Sequence, residues 1–206
     1  MNAKEKWFNE NYIEGISECI KKISLGKPII ECADLSGIII GPSAVVDCLR
    51  KTNLSESEIY NSNLSYSSIS ANISSCNIRD VNFEYSFFDG VMLFKAKISN
   101  CNFYKSKLTV NMDDAICENN NFKKAKFTGG SLGYEYGGRR VKFINCDFTG
   151  AVFNRVEFRA SRFLNCIFVD TKFKKCDLRG ARFENGVLPL KTQFENMDIP
   201  IQFMEQ

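Results

Sequence analysis

The chain has 206 residues, 44% apolar and 25% charged, and a net charge of +3. That balance fits one globular domain or a short repeat array, and so mild a charge by itself selects neither nucleic acid nor membrane. Histidine is absent, which excludes Ser-His-Asp and Cys-His nucleophile systems and every His-ligated metal site.

The start, MNAKEKWF, is charged early and lacks the apolar stretch of a signal peptide. No apolar run approaches the roughly 18 residues of a membrane-spanning helix, so a cytoplasmic protein is expected. Residues 4–24 place Phe8, Tyr12, Ile16, Cys19, Ile20 and Ile23 at helical spacing, which predicts an amphipathic capping helix. Residues 31–38 read as one degenerate repeat, and 44–51 predict a short helix with Ser43 as its N-cap.

From Thr52 a period of five takes over: TNLSE, SEIYN, SNLSY, a unit one residue short, then ANISS. It continues from Cys76 as CNIRD, VNFEY, SFFDG, VMLFK, AKISN, CNFYK and SKLTV. From Val141 it reads VKFIN, CDFTG, AVFNR, VEFRA, SRFLN, CIFVD, TKFKK, CDLRG and ARFEN. Five matches neither the strand period of two nor the helix period of 3.6. It fits a square coil with one side per unit. The third residue points inward, and so does a small first residue, while the others face water or form the corner. Coils stacked at the strand spacing of about 4.8 Å make a rod. The four prolines, at 28, 42, 189 and 200, all avoid the repeat, where each would delete a ladder N–H. The expected fold is an all-β solenoid, a quadrilateral right-handed β-helix. Residues 1–51 are the helical cap, 52–188 the coils, and 189–206 a tail that covers the last coil or forms a homodimer contact.

CDFTG, CDLRG and CNFYK resemble the pentapeptide-repeat family, whose units run small residue, Asp or Asn, Leu or Phe, then two variable positions. The resemblance implies the fold. The chain offers no nucleophile–base or metal constellation, so a non-enzymatic binding module is expected, while known members of the family include proteins that protect type II topoisomerases by resembling duplex DNA. A DNA gyrase-directed role is therefore the alternative reading.

Five cysteines, Cys76, Cys101, Cys146, Cys166 and Cys176, fall at the small inward position and read as apolar filler, not metal or redox groups. No cofactor is expected. Two segments break the frame: 111–119, which sets Asp113 at an inward position, and 134–140, read as a loop carrying Tyr134, Tyr136, Arg139 and Arg140. Residues 139–182 hold eleven Arg or Lys and four Asp or Glu. Stacking by twenty puts Lys142, Arg162 and Arg182 in one outward row. These seven residues are the candidate partner-binding set, and their sign suits an acidic protein surface. Direct nucleic-acid binding is the weaker reading, since aromatic and basic residues interleave only near Tyr134 and Tyr136.

Overall fold

The protein is described from a computed structural model covering residues 3–26, 29–31, 33–129 and 136–204. Two eight-stranded parallel sheets form opposite sides of a square coil, one running from Ile29–Glu31 to Arg182–Glu184, the other from Ile39–Ile40 to Phe194–Glu195. The two remaining sides pair by single bridges, such as Asn63 with Asn82 and Glu157 with Asp177. Numbered in chain order, the sheets are the first and third faces and the bridged sides the second and fourth. Eight rungs at the usual strand spacing make a rod about 34 Å long.

The division into sheet faces and bridged faces has a chemical origin. On the second face the outward second position is Asp34, Asn63, Asn82, Asn102, Asn121 and Asp147 over the first six coils, giving way to Ile167 and Val187 on the last two. Each of these Asn or Asp side-chain oxygens accepts a hydrogen bond from the backbone N–H two residues on, as from Glu84 to Asn82 at 3.1 Å and from Lys123 to Asn121 at 3.0 Å. This local turn diverts the backbone from continuous strand. Most corners among the described residues then use a residue in the left-handed region. From Glu56 to Asn196 these non-glycine corners have φ between 50° and 61°. An L-residue there costs roughly 1–2 kcal/mol, less for the Asn and Asp that fill many of the sites.

Inward positions form one continuous core. Phe127, Phe153, Phe173 and Phe194 stack along the third face at 4.7, 4.8 and 5.1 Å between centroids. Phe83, Phe103, Phe122, Phe148 and Phe168 do the same on the second. The five small-position cysteines are buried as expected. Burial pushes the Cys76 and Cys101 thiols up to about 12.

The structure revises the ends. Residues 4–24 are not one helix but a 3₁₀ turn (Glu5–Phe8), α1 (Glu10–Gly15) and α2 (Ser17–Ser24). Trp7 is the buried residue and Phe8 is 72% exposed, against the helical-spacing reading, because extended Asn9 separates the 3₁₀ turn from α1 and so breaks the phase. Ser43 caps nothing: the downstream element is a single 3₁₀ turn, Asp47–Leu49, preceded by Val46. Parallel pairing also reaches past 52–188 at both ends, since Ile30 pairs with Ile59 and Phe194 with Phe173. The tail covers the last coil, with Phe203 fully buried against Phe183 and Phe194.

Both ends are closed by side chains that replace the missing neighbouring coil. Tyr12 Oη donates to the Asp34 carbonyl at 2.8 Å and Trp7 Nε1 to the Ser36 carbonyl at 2.9 Å. At the far end Gln202 Nε2 donates to the Phe183 carbonyl, and its Oε1 accepts from the Phe183 N–H, both at 3.3 Å. Gln193 Nε2 serves the carbonyls of Phe168 and Thr171.

Among the described residues, both apparent interruptions of the frame run along the coil wall. Phe88 pairs with Leu108 and Asp89 with Thr109, but Val91 pairs with Val110: Gly90 is a corner residue that the next coil lacks. The frame therefore slips by one at Thr109. Met112 takes the inward position, 2% exposed, and Asp113 faces outward. Residues 136–140 are likewise an ordinary side of the fourth face, with Gly137 bridging Asn111 and Glu157. Arg139 and Arg140 thus lie on the coil wall, not on a loop. Tyr134 lies outside the described residues.

Candidate interaction surface

The first face carries the predicted row. Lys142, Arg162 and Arg182 pair in register on adjacent strands, all exposed. Arg162 reaches up to Glu184, with Nη2 to Oε2 at 2.8 Å and Nε to Oε1 at 3.2 Å. That contact holds the Glu184 carboxyl below its ordinary range. Lys142 and Arg182 make no ion pair within 4.0 Å among the described residues. Along the adjoining corner, Asn119, Asn145 and Asn165 form an amide ladder with bonds of 3.0 and 3.2 Å.

The fourth face is a ladder of alternating charge. Arg140 binds Asp114 through two bonds, 2.6 and 2.8 Å. Glu157, 9% exposed, accepts from Arg139 at 2.7 Å and from Arg159. Asp177 is gripped by Arg179 at 2.9 and 2.6 Å and faces Arg159 at 3.6 Å. Burial works to raise the Glu157 carboxyl, but the two arginines together outweigh it and hold it low. Asp177 is held low first by the Arg179 hydrogen bond. The third face adds Lys172, Lys174 and Lys175, of which Lys174 pairs with Glu195 at 2.9 Å.

The seven candidate residues therefore do not form one site. Lys142, Arg162 and Arg182 share a row on the first face, while Arg139, Arg140 and half-buried Tyr136 belong to the fourth. Arg139, Arg140 and Arg162 already have carboxylate partners, so the local excess of positive charge is smaller in effect than the residue count implies. The sequence reading also missed a second surface. Tyr66, Tyr85 and Tyr104 cluster at the corner between the second and third faces, with Lys105 over the rings of Tyr85 and Tyr104. The expectation that aromatic and basic residues interleave only near Tyr134 and Tyr136 fails there, because stacking joins residues a whole coil apart.

The geometry defines a class of protein: a rigid parallel solenoid whose outward side chains are held in straight rows. A pentapeptide repeat region profile matches residues 139–200, and a pentapeptide repeats profile matches residues 71–109. The chain belongs to the pentapeptide-repeat family. No catalytic family is among these matches, and no curated protein matches the chain. Among solved structures it is similar to HetL, a pentapeptide repeat protein involved in heterocyst differentiation regulation from the cyanobacterium Nostoc sp. strain PCC 7120. Identity there is 14% over 87% of this chain and 94% of that one, with a TM-score of 0.30. It is also similar to full-length QnrB1, a plasmid-mediated fluoroquinolone resistance protein, at 15% identity over 82% and 93%, with a TM-score of 0.44. No helix among the described residues is long and apolar enough to cross a membrane.

Proposed function

We propose that this chain is a non-enzymatic interaction scaffold of the cytoplasm, a rod that offers a positive row to an acidic protein partner. The observation that carries this reading is the in-register row of Lys142, Arg162 and Arg182, with Arg162 oriented by Glu184. Parallel pairing sets the spacing of the three cations before any partner arrives, so little ordering entropy remains to oppose association. Lys142 and Arg182 are the free charges of the row and supply its attraction.

The test is capture of host proteins on the immobilised rod at two salt concentrations, with Lys142→Glu/Arg182→Glu beside the wild type. Loss of a salt-sensitive partner without a change in melting temperature supports the reading, and unchanged capture overturns it. The alternative is action on DNA gyrase by DNA mimicry, for which the supporting feature is the repeat family itself. Mimicry needs free negative charge, whereas Asp114, Glu157 and Asp177 are each engaged by arginine. A gyrase supercoiling assay with and without a quinolone separates the two. A homodimer through 189–206 would have to use exposed Leu190, Ile201 and Met204, since Phe194 and Phe203 are buried within the rod.

A further inference from the structure

An exposed cluster combining aromatic and cationic groups lies away from the Lys142–Arg162–Arg182 row. At the corner between the second and third faces, backbone bonds place Tyr66, Tyr85, Lys105 and Lys124 on four successive coils. Tyr66 and Tyr85 stack with centroids 5.0 Å apart and planes 3° from parallel, and Tyr104 meets Tyr85 edge-on at 5.8 Å. Lys105 Nζ lies 5.3 Å from the Tyr85 ring centre and 5.1 Å from that of Tyr104. Immediately around the corner, Phe87, Lys107 and Lys126 form one outward row of the third face. Tyr66, Tyr85 and Phe87 are 46%, 41% and 40% exposed.

The charges here differ in kind from those of the arginine ladder. Among the described residues, Lys107, Lys124 and Lys126 have no carboxylate within ion-pair distance, and only Lys123 is paired, with Asp147 at 3.1 Å. Glu84 and Asp89 flank the aromatic half of the ridge, leaving the lysine half the more positive. A rigid backbone thus sets three exposed rings beside a run of free ammonium groups.

We infer that this ridge, from Tyr66 to Lys126, binds single-stranded nucleic acid. Such a strand supplies both chemistries the ridge lacks: phosphates for the lysines and unpaired base faces for the rings. A duplex hides its base faces, so it would leave the aromatic half in water. An acidic protein surface would answer the lysines but not the rings. This site is separate from the Lys142–Arg162–Arg182 row, and each can fail alone.

The experiment is fluorescence anisotropy of the full chain with a labelled oligothymidylate about twenty nucleotides long. The comparison ligands are an abasic strand of equal length, a duplex, and phosphatidylserine vesicles. Four engaged phosphates predict a slope of log affinity against log salt of about −3. Phe87→Ser should weaken binding about 5- to 150-fold, the loss of one stacked base. Serine is tolerated in that row, since Ser68 occupies it one coil earlier. Lys107→Gln/Lys126→Gln should weaken binding and reduce the slope by about 1.4, whereas Arg182→Gln should leave both unchanged. Circular dichroism of each variant confirms folding. The inference is overturned if the wild type does not bind the oligonucleotide at low salt, or if the abasic strand or the duplex binds as well. Vesicle binding without oligonucleotide binding, or an unchanged affinity in Phe87→Ser, overturns it equally.

Discussion

The two halves of the rod solve the same packing problem with different side chains. Up to Ile78 the inward third positions are Ile or Leu, as in Ile30, Leu35, Ile40, Leu54, Ile59, Leu64, Ile69 and Ile73. From Phe143 to Phe173 every one is phenylalanine. A phenyl ring stacks comfortably at about the distance that separates hydrogen-bonded strands, so the ring ladder and the backbone ladder keep step. The aliphatic half gains no such specific term and relies on shape alone. Outside, the halves differ again: Ser and Asn dominate the first, paired Arg, Asp and Glu the second. One backbone therefore carries two kinds of stabilisation, one apolar and generic, the other directional.

That contrast can be broken first at the core. Phe148 contacts Phe122, Phe143, Phe153 and Phe168 at 5.1 to 5.4 Å, so Phe148→Ala should destabilise by about 3–5 kcal/mol. Ile78→Val in the aliphatic half should cost about 0.5–1.5 kcal/mol. Urea denaturation measures both. Because coils contact only their neighbours, hydrogen exchange should localise the Phe148→Ala loss to the C-terminal coils. Equal losses in both halves would remove the claim that the ring ladder matters.

The ion ladder comes next. Glu157→Gln leaves Arg139 and Arg159 without their shared carboxylate and should cost about 1–2 kcal/mol, since both arginines are partly solvated. Glu157 and Asp177 have lowered values in the fold. Their contribution is therefore complete above the ordinary glutamate value of 4.5 and is lost as the pH falls through the lower folded-state value. Acid titration of melting temperature should show this decline, flattened in Glu157→Gln. A smaller effect is expected at Asn102, whose oxygen accepts from Tyr104 N–H and Asn121 Nδ2 at 3.2 and 2.8 Å. Asn102→Ala should cost about 0.5–1.5 kcal/mol in the same denaturation assay. Least perturbing is a thiol probe: exposed Cys48 should alkylate in the native state while Cys101 and Cys117 react only on unfolding. Rapid labelling of Cys101 would contradict its role as filler, and of Cys117 its burial.

The architecture was legible because a five-residue period has few physical solutions, and the inward Leu, Ile and Phe declare it unit by unit. The helical phase of the cap was not, since nothing local marks the break at Ile16 between α1 and α2. The slip at Thr109 was hidden for a related reason: deleting a corner residue leaves no local mark but shifts the frame by one, so Asp113 was read as inward in place of Met112. Lys142, Arg162 and Arg182 were placed correctly by counting twenty. Arg139–Glu157, Arg140–Asp114 and Arg162–Glu184 were beyond such counting, because each pair crosses coils at offsets of 18, 26 and 22 residues. A charge tally sees the excess and not the pairing. The tyrosine and lysine ridge escaped for the same reason, as the short units shift its coil offset away from twenty.

The amide of Gln202 is a single peptide group carried on a side chain. Stacked identical rungs form a supramolecular polymer, and such polymers have no inherent degree of polymerisation. A molecule offering one complementary face and nothing beyond it acts as a chain stopper. Gln202 does this for Phe183 and Gln193 for Phe168 and Thr171, as Tyr12 and Trp7 do for the first rung, so the rod carries its own terminators in four side chains.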